Sequence, residues 1–359
     1  MRPAVSAIEI DRRLLLAGGM TALLPLPAIA RGGDDFVVSK SGRSGRSGRP
    51  GSFRTVGAAL AAAKAAGKPC RIRIEPGIYE EKLLLDTPGV HLAGEPGAVL
   101  SFGAAAGMSD PQGRNWGTGR TATLIVTAPD VILSGLTIRN SFDYLQNHIT
   151  HAVDGAQAVA LMLGRGADRS QVRGCRLEGY QDTLYVQEGR AWFRDCDVSG
   201  NVDFIFGGAA TLFERCEIRS RYVPGNDLQG YLAAPSTPMT QPIGLVFRDC
   251  RLTREAGLPD NSVYLGRPWR AGGNMDLTGA AAFLDCWMDA HIRRDGWTWM
   301  GYTNPAGERT QLTPQEARLF EAGSKGPGAG PAADTRRILT PEQARRYDRA
   351  NIFGDWRPQ

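Results

Sequence analysis

Apolar positions along the chain come in short runs cut by Gly, Pro and Asp. Four of them, RIRIEPG at 71–77, VHLAGEPG at 90–97, TLIVTAP at 123–129 and VILSGLTIRN at 131–140, have the length and branched side chains of β-strands. FVVS at 36–39 predicts an opening strand. SFRTVGAALAAAKAAGK at 52–68 is Ala-rich with helical spacing and predicts a helix ending near Gly67, placed to cap one end of a stack of strands.

A longer period runs over these elements. RGCRL, FRDCDV, FERCEI, FRDCRL and FLDCWM are near copies of one phrase around Cys175, Cys196, Cys216, Cys250 and Cys286, each with an apolar residue two places after the cysteine. Their gaps are 21, 20, 34 and 36 residues. A repeat near twenty residues predicts a solenoid whose later coils carry insertions, and insertions on one face of a repeat protein tend to build its binding surface. GYQDTLYV at 179–186 and NVDFIFGG at 201–208 keep the same register, because Asp182 and Asp203 each lie seven residues after their cysteine. Coils of a parallel β-solenoid stack about 4.8 Å apart, so the two carboxylates are expected to face each other. The expected class is all-β, a β-solenoid with an N-terminal capping helix. From about 302, LTPQEARLF and LTPEQARRY predict helical segments in a tail that packs back along the coils.

The start of the chain reads as targeting rather than fold. DRRLLL at 11–16 opens an apolar run that ends in Ala28-Ile29-Ala30, the pattern of a twin-arginine-like export signal over 1–30. An ordinary secretion signal and a short membrane anchor are the alternatives, and the run is short of the roughly 18 uninterrupted apolar residues a span needs. Export to the periplasm or the extracellular space is expected, leaving residues 31–359 as one folded domain with no membrane partner. With 42% hydrophobic residues in 359, that domain can bury a substantial core.

A net charge of +5 admits an acidic partner without choosing one. Part of the excess lies in SGRSGRSGRP at 41–50, whose composition is that of a solvated loop. The cysteines are too far apart for a zinc site and suit an interior ladder. In an oxidising compartment Cys196–Cys216 is the preferred disulfide, Cys175–Cys196 competes with it, and buried free thiols are the third outcome. His148 and His151 share an HxxH spacing but lack a supporting carboxylate or cysteine phrase, so no metal and no cofactor are expected.

Two carboxylates about 5 Å apart resist joint ionisation unless a cation holds one of them charged. Arg267, in YLGRPW, is the candidate cation. Paired with it, Asp203 is suited to act as a nucleophile, and Asp182 stays protonated as a general acid. An ester under attack also needs oxyanion donors. Gln181 adjoins Asp182, and Gln157 lies 24 residues earlier, one coil away, so their amides fit that role.

At these residues the chain resembles the pectin methylesterases. The marks are PGIYEEKL at 76–83, GTGRTATL at 117–124, QAVAL at 157–161, GYQDTLYV, VDFIFG at 202–207, YLGRPW at 264–269 and LTPEQARRYDRANIFGDWRP at 339–358, in the family's order. The resemblance implies a single-stranded right-handed parallel β-helix that hydrolyses methyl esters of galacturonate units in pectin. It implies Asp203 as nucleophile, Asp182 as acid then base, Gln157 and Gln181 as oxyanion donors, Arg267 as partner of the nucleophile, and Tyr185, Phe206 and Trp269 as the lining of a sugar cleft. Departures are a longer loop at 164–170, Asn201 where the family often has Thr or Ser, and the arginine-rich 41–50 segment. They bear on subsite preference rather than on the reaction.

Methylesterified homogalacturonan is thus the expected partner, with no nucleic acid, and a monomer is expected. Trp297 and Trp299 are open between cleft wall and core. Alternatives are a retaining glycosidase, for which carboxylates roughly 5 to 5.5 Å apart also serve, an esterase or thioesterase on another acyl group, and a non-catalytic polysaccharide-binding solenoid, which has no need of an acid pair.

Overall fold

The computed structural model describes residues 36–40 and 51–359. The export signal expected at 1–30 and the arginine-rich segment at 41–50 lie outside the described residues.

Within a coil, successive short strands do not pair with their sequence neighbours, because a bend of one or a few residues turns each onto a different sheet. Each pairs instead with its counterpart one coil away, in parallel. Among the described residues this gives an 11-stranded first sheet ending at Arg318–Ala322, an 8-stranded second sheet from Gly77–Glu80 to Trp287–Met288, and a 7-stranded third sheet from Leu83–Leu85 to Val263–Gly266. One coil, for example, is Arg190–Arg194, Asp197–Gly200 and Ile205–Gly207, one strand to each sheet. The fold is a parallel β-helix.

The repeated phrase now has a physical reading. The residue before each repeat cysteine turns the chain from first to second sheet in the left-handed region: Gly174 at φ 57°, Asp195 at 53°, Arg215 at 52°, Asp249 at 53° and Asp285 at 55°. Asp and Gly tolerate that conformation better than most residues. The turn swings the cysteine inward, and all five thiols are buried and free, so the expected Cys196–Cys216 disulfide does not form. Four of them place the S–H on a backbone carbonyl of the preceding coil instead, as Cys196 Sγ does on Val172 O at 3.3 Å and Cys250 Sγ on Phe213 O at 3.4 Å, while Cys175 Sγ meets Arg173 O of its own coil at 3.5 Å. The apolar residues two places on, Leu177, Val198, Ile218, Leu252 and Met288, pair in register and are fully buried. Three places before four of the cysteines, Phe193, Phe213, Phe247 and Phe283 stack with centroids 4.8, 4.7 and 4.3 Å apart, the offset-stack range for aromatic pairs.

The predicted helix is Val56–Ala66, capped by Thr55 and ended by Gly67 at φ 61°. It buries Val56, Ala59, Leu60 and Ala63, one face of the helix, against the first coil. VILSGLTIRN is two strands, Ile132–Ser134 and Thr137–Asn140, because Gly135 bends at φ 64° between them.

The tail departs from expectation at its first half. LTPQEARLF is not helical: Thr313 N and Oγ1 donate to Glu316 in a single turn, after which Arg318–Ala322 becomes the last strand of the first sheet. Ladder pairing with Ala280–Leu284 and burial of Leu319 outweigh the local helix preference, and the buried Glu321 is paired with Arg336. The second half is helical at Pro341–Ala344 and Arg349–Phe353, and it lays Tyr347, Ile352 and Phe353 over Trp192, Leu212 and Val246 on the outer face of that sheet. Trp297 is core, stacked obliquely on Phe283, whereas Trp299 is half exposed.

Candidate active site

The outer face of the third sheet carries the site. Alternation sends Leu184, Val186 and Ile205 inward and leaves Met162, Tyr185, Phe206 and Ala234 in one outward row, paired coil to coil. Gly207, at φ 124°, lies so close to the neighbouring coil that a Cβ there would sit 1.9 Å from Val186 O, which fixes glycine at the end of this strand.

Asp182 and Asp203 precede equivalent strands by two residues, and Leu184 pairs with Ile205. Asp182 N donates to Val202 O at 3.1 Å, so the two acids sit on adjacent coils at one level. Both adopt left-handed backbone, φ 64° and 49°. That conformation costs a non-glycine residue about 1–2 kcal/mol and here sets both carboxylates in the cleft wall.

Arg267 follows the strand Val263–Gly266, two places beyond Asp203's strand in the sheet order. Its Nε and Nη2 donate to the two Asp203 oxygens at 2.9 and 2.7 Å, a bidentate fork. The guanidinium lies 3.9 Å from the ring centroid of Tyr231, itself stacked on Tyr264. Burial pushes the Asp203 carboxyl up, while the Arg267 hydrogen bonds and charge pull it back down, leaving it raised. Burial and then the negative charge of Asp203 drive Asp182 well above the usual carboxylate range, against a smaller pull from Arg267. A proton shared between them therefore resides on Asp182, and the pair titrates jointly.

Gln157 and Gln181 are carried on neighbouring coils, with Ala158 N donating to Gln181 O at 3.1 Å. Tyr185 stacks on Phe206 at 4.3 Å, and Trp269 meets Phe206 edge-on at 5.9 Å. A cleft of about 370 Å³ brings all eight of these sequence-derived residues together. Thr118, Gly119, Ala234 and Met300 line it too and were missed. The phrase GTGRTATL marked the first two without giving them a role, and Met300 belongs to a hairpin, Met300–Thr303 with Arg309–Leu312, that carries no repeat signal. Tyr231, behind Arg267, was also missed. Among the described residues no group of three or more His, Cys, Asp or Glu is arranged to hold a metal, and His148 and His151 meet only ring to ring.

The fold and the cleft define a carboxylic-ester hydrolase on a parallel β-helix. The pectinesterase family model matches residues 36–332. Pectinesterase A of Dickeya dadantii is 39% identical over 326 residues, 86% of this chain and 88% of that protein. The solved pectin methylesterase of Erwinia chrysanthemi superposes with a TM-score of 0.84 at 38% identity, covering 91% of this chain and 98% of that one. The Yersinia enterocolitica enzyme gives 0.81 at 40% identity, covering 85% and 100%. The chain belongs to the pectinesterase family.

Proposed function

We propose that this cleft hydrolyses the methyl esters of galacturonate units in pectin by a double displacement at Asp203. The Asp203 carboxylate attacks the ester carbonyl carbon, and the amides of Gln157 and Gln181 donate to the oxyanion that forms. The intermediate collapses to an acyl-enzyme anhydride as methoxide departs with the Asp182 proton, giving methanol. Asp182, now ionised, takes a proton from water, whose oxygen attacks the anhydride and restores both carboxyl groups. Tyr185, Phe206 and Trp269 hold the sugar chain by stacking. The products are methanol and a free galacturonate.

The observation that carries this reading is the unequal pair: Asp203 gripped at both oxygens by Arg267, and Asp182 one coil away, where burial and the Asp203 charge push its carboxyl well above the usual range. The paired amides favour an acyl oxyanion over a glycosyl cation. Highly methylated pectin is expected to release methanol, with unmethylated polygalacturonate as control. New reducing ends without methanol would instead support the glycosidase alternative.

The signal-like 1–30 segment supports export of the chain and action outside the cytoplasm. Cell fractionation, with N-terminal sequencing of the exported form, tests the export. A full-length chain retained in the cytoplasm would contradict it.

A further inference from the structure

Lys82 lies outside the catalytic cluster, yet it grips a segment that shapes the cleft. Its Nζ donates to Ala122 O at 2.7 Å and lies 5.0 Å from the ring centroid of Trp116 and 5.6 Å from that of Phe102. Trp116 and Ala122 bracket the turn that puts Thr118 and Gly119 into the cleft wall. Within the bracket Thr121 Oγ1 donates to Thr118 O at 2.6 Å and accepts from Val159 N at 3.0 Å. A Cβ on Gly119 would lie 3.3 Å from Met162 Sδ and 3.8 Å from Tyr185, so the turn rests directly on the aromatic row. Ala122 packs with Val159, Phe206 and Ala234 beneath the cleft.

We infer that Lys82 is a positioning residue for the proposed ester hydrolysis: its ammonium clamps both ends of the 116–122 segment and thereby holds Thr118 and Gly119 against Tyr185 where the sugar chain binds. The inference rests on the hydrolase reading above. Lys82 touches neither aspartate in this arrangement, so its effect falls on KM rather than on kcat.

Burial first, and the nearby Arg120 guanidinium second, lower the Lys82 amine to about 8. Arg120 is held in turn by Asp110 at 2.9 Å and by Trp116 O at 2.8 Å, and it is the charged group facing Lys82 from the clamped segment. Loss of the Lys82 proton removes the cation from the two rings and weakens its bond to Ala122 O. The folded value lies below the ordinary 10.5, so between the two the unfolded chain binds more protons and this group makes the fold more stable as pH rises. A rise in KM over that window therefore cannot be a loss of stability at Lys82.

The test measures KM and kcat for methanol release from methylated pectin between pH about 6.5 and about 9.5, for the full chain and for Lys82→Met and Lys82→Arg. In the unaltered protein KM is expected to climb as pH passes about 8. Lys82→Met is expected to show KM raised roughly three- to tenfold at every pH, the span of a partly exposed cation–π contact, with kcat held within about twofold. Lys82→Arg keeps its charge throughout and is expected to restore low KM and flatten the climb. Unaltered KM in Lys82→Met, or an undiminished climb in Lys82→Arg, overturns the inference. Absence of methanol release from the unaltered protein is a separate result, which counts against the hydrolase reading itself.

Discussion

Asp182 and Asp203 are the same residue type at the same place in adjacent coils, and their difference comes from one neighbour. Arg267 fills both oxygens of Asp203 and leaves Asp182 to absorb burial and its partner's charge. Activity is therefore expected to follow a bell against pH, rising as Asp203 ionises and falling as Asp182 loses its proton, with two apparent values that belong to the pair. The same shift acts on stability. An acid whose folded value is raised contributes fully below its unfolded value near 3.8, and that contribution is lost as pH rises through the folded value. Asp182→Asn is thus expected to unfold at a higher temperature than the unaltered protein at pH 7, by about 2–4 °C for each kcal/mol recovered, with the gain shrinking toward pH 4, while methanol release is lost. Thermal melts at both pH values check it. Register made the acid pair legible in the sequence. It did not expose Tyr231, whose strand Gly230–Pro235 follows an insertion that breaks the spacing, or Met300, whose hairpin lies outside the three stacked sheets.

At the scale of the element, each coil is held by what it stacks on the next. The phenylalanine ladder is legible in the repeated phrase FRDC, FERC, FRDC, FLDC, because a residue at one fixed place in each coil must stack on its counterpart in the next. Phe247, stacked on both sides at 4.7 and 4.3 Å, is expected on truncation to Ala to cost about 3–5 kcal/mol, read by denaturant unfolding, with KM nearly unchanged. The free thiols give a second expectation: a reductant leaves the unfolding midpoint where it is, whereas a Cys196–Cys216 bridge would make the midpoint fall. The tail shows where element reading failed. LTPQEARLF has a helix-start phrase, yet the sheet edge offered by Ala280–Leu284 recruits it as a strand, and an unpaired edge in another part of the chain is invisible to local pattern.

Over the whole molecule, two devices close the solenoid and keep the coils aligned. The helix Val56–Ala66 covers one end, and its first two N–H groups are taken by the Glu81 carboxylate at 2.8 and 2.9 Å. Toward the other end Arg336, fully buried, donates to Glu321 at 2.9 Å and fastens the tail to the last strand. Glu321→Ala leaves that guanidinium unpaired and is expected to cost about 3–5 kcal/mol, seen as a lowered unfolding midpoint. Such alignment matters because the proposed chemistry depends on residues of several coils meeting: Gln157, Asp182, Asp203 and Arg267 are spread over 111 positions of sequence. The most direct test is methanol release from highly methylated pectin by Asp203→Asn, with its unfolding midpoint recorded alongside. Release is predicted to fall by about 10⁴-fold or more with folding retained. Substantial methanol release from a folded Asp203→Asn protein would contradict the account.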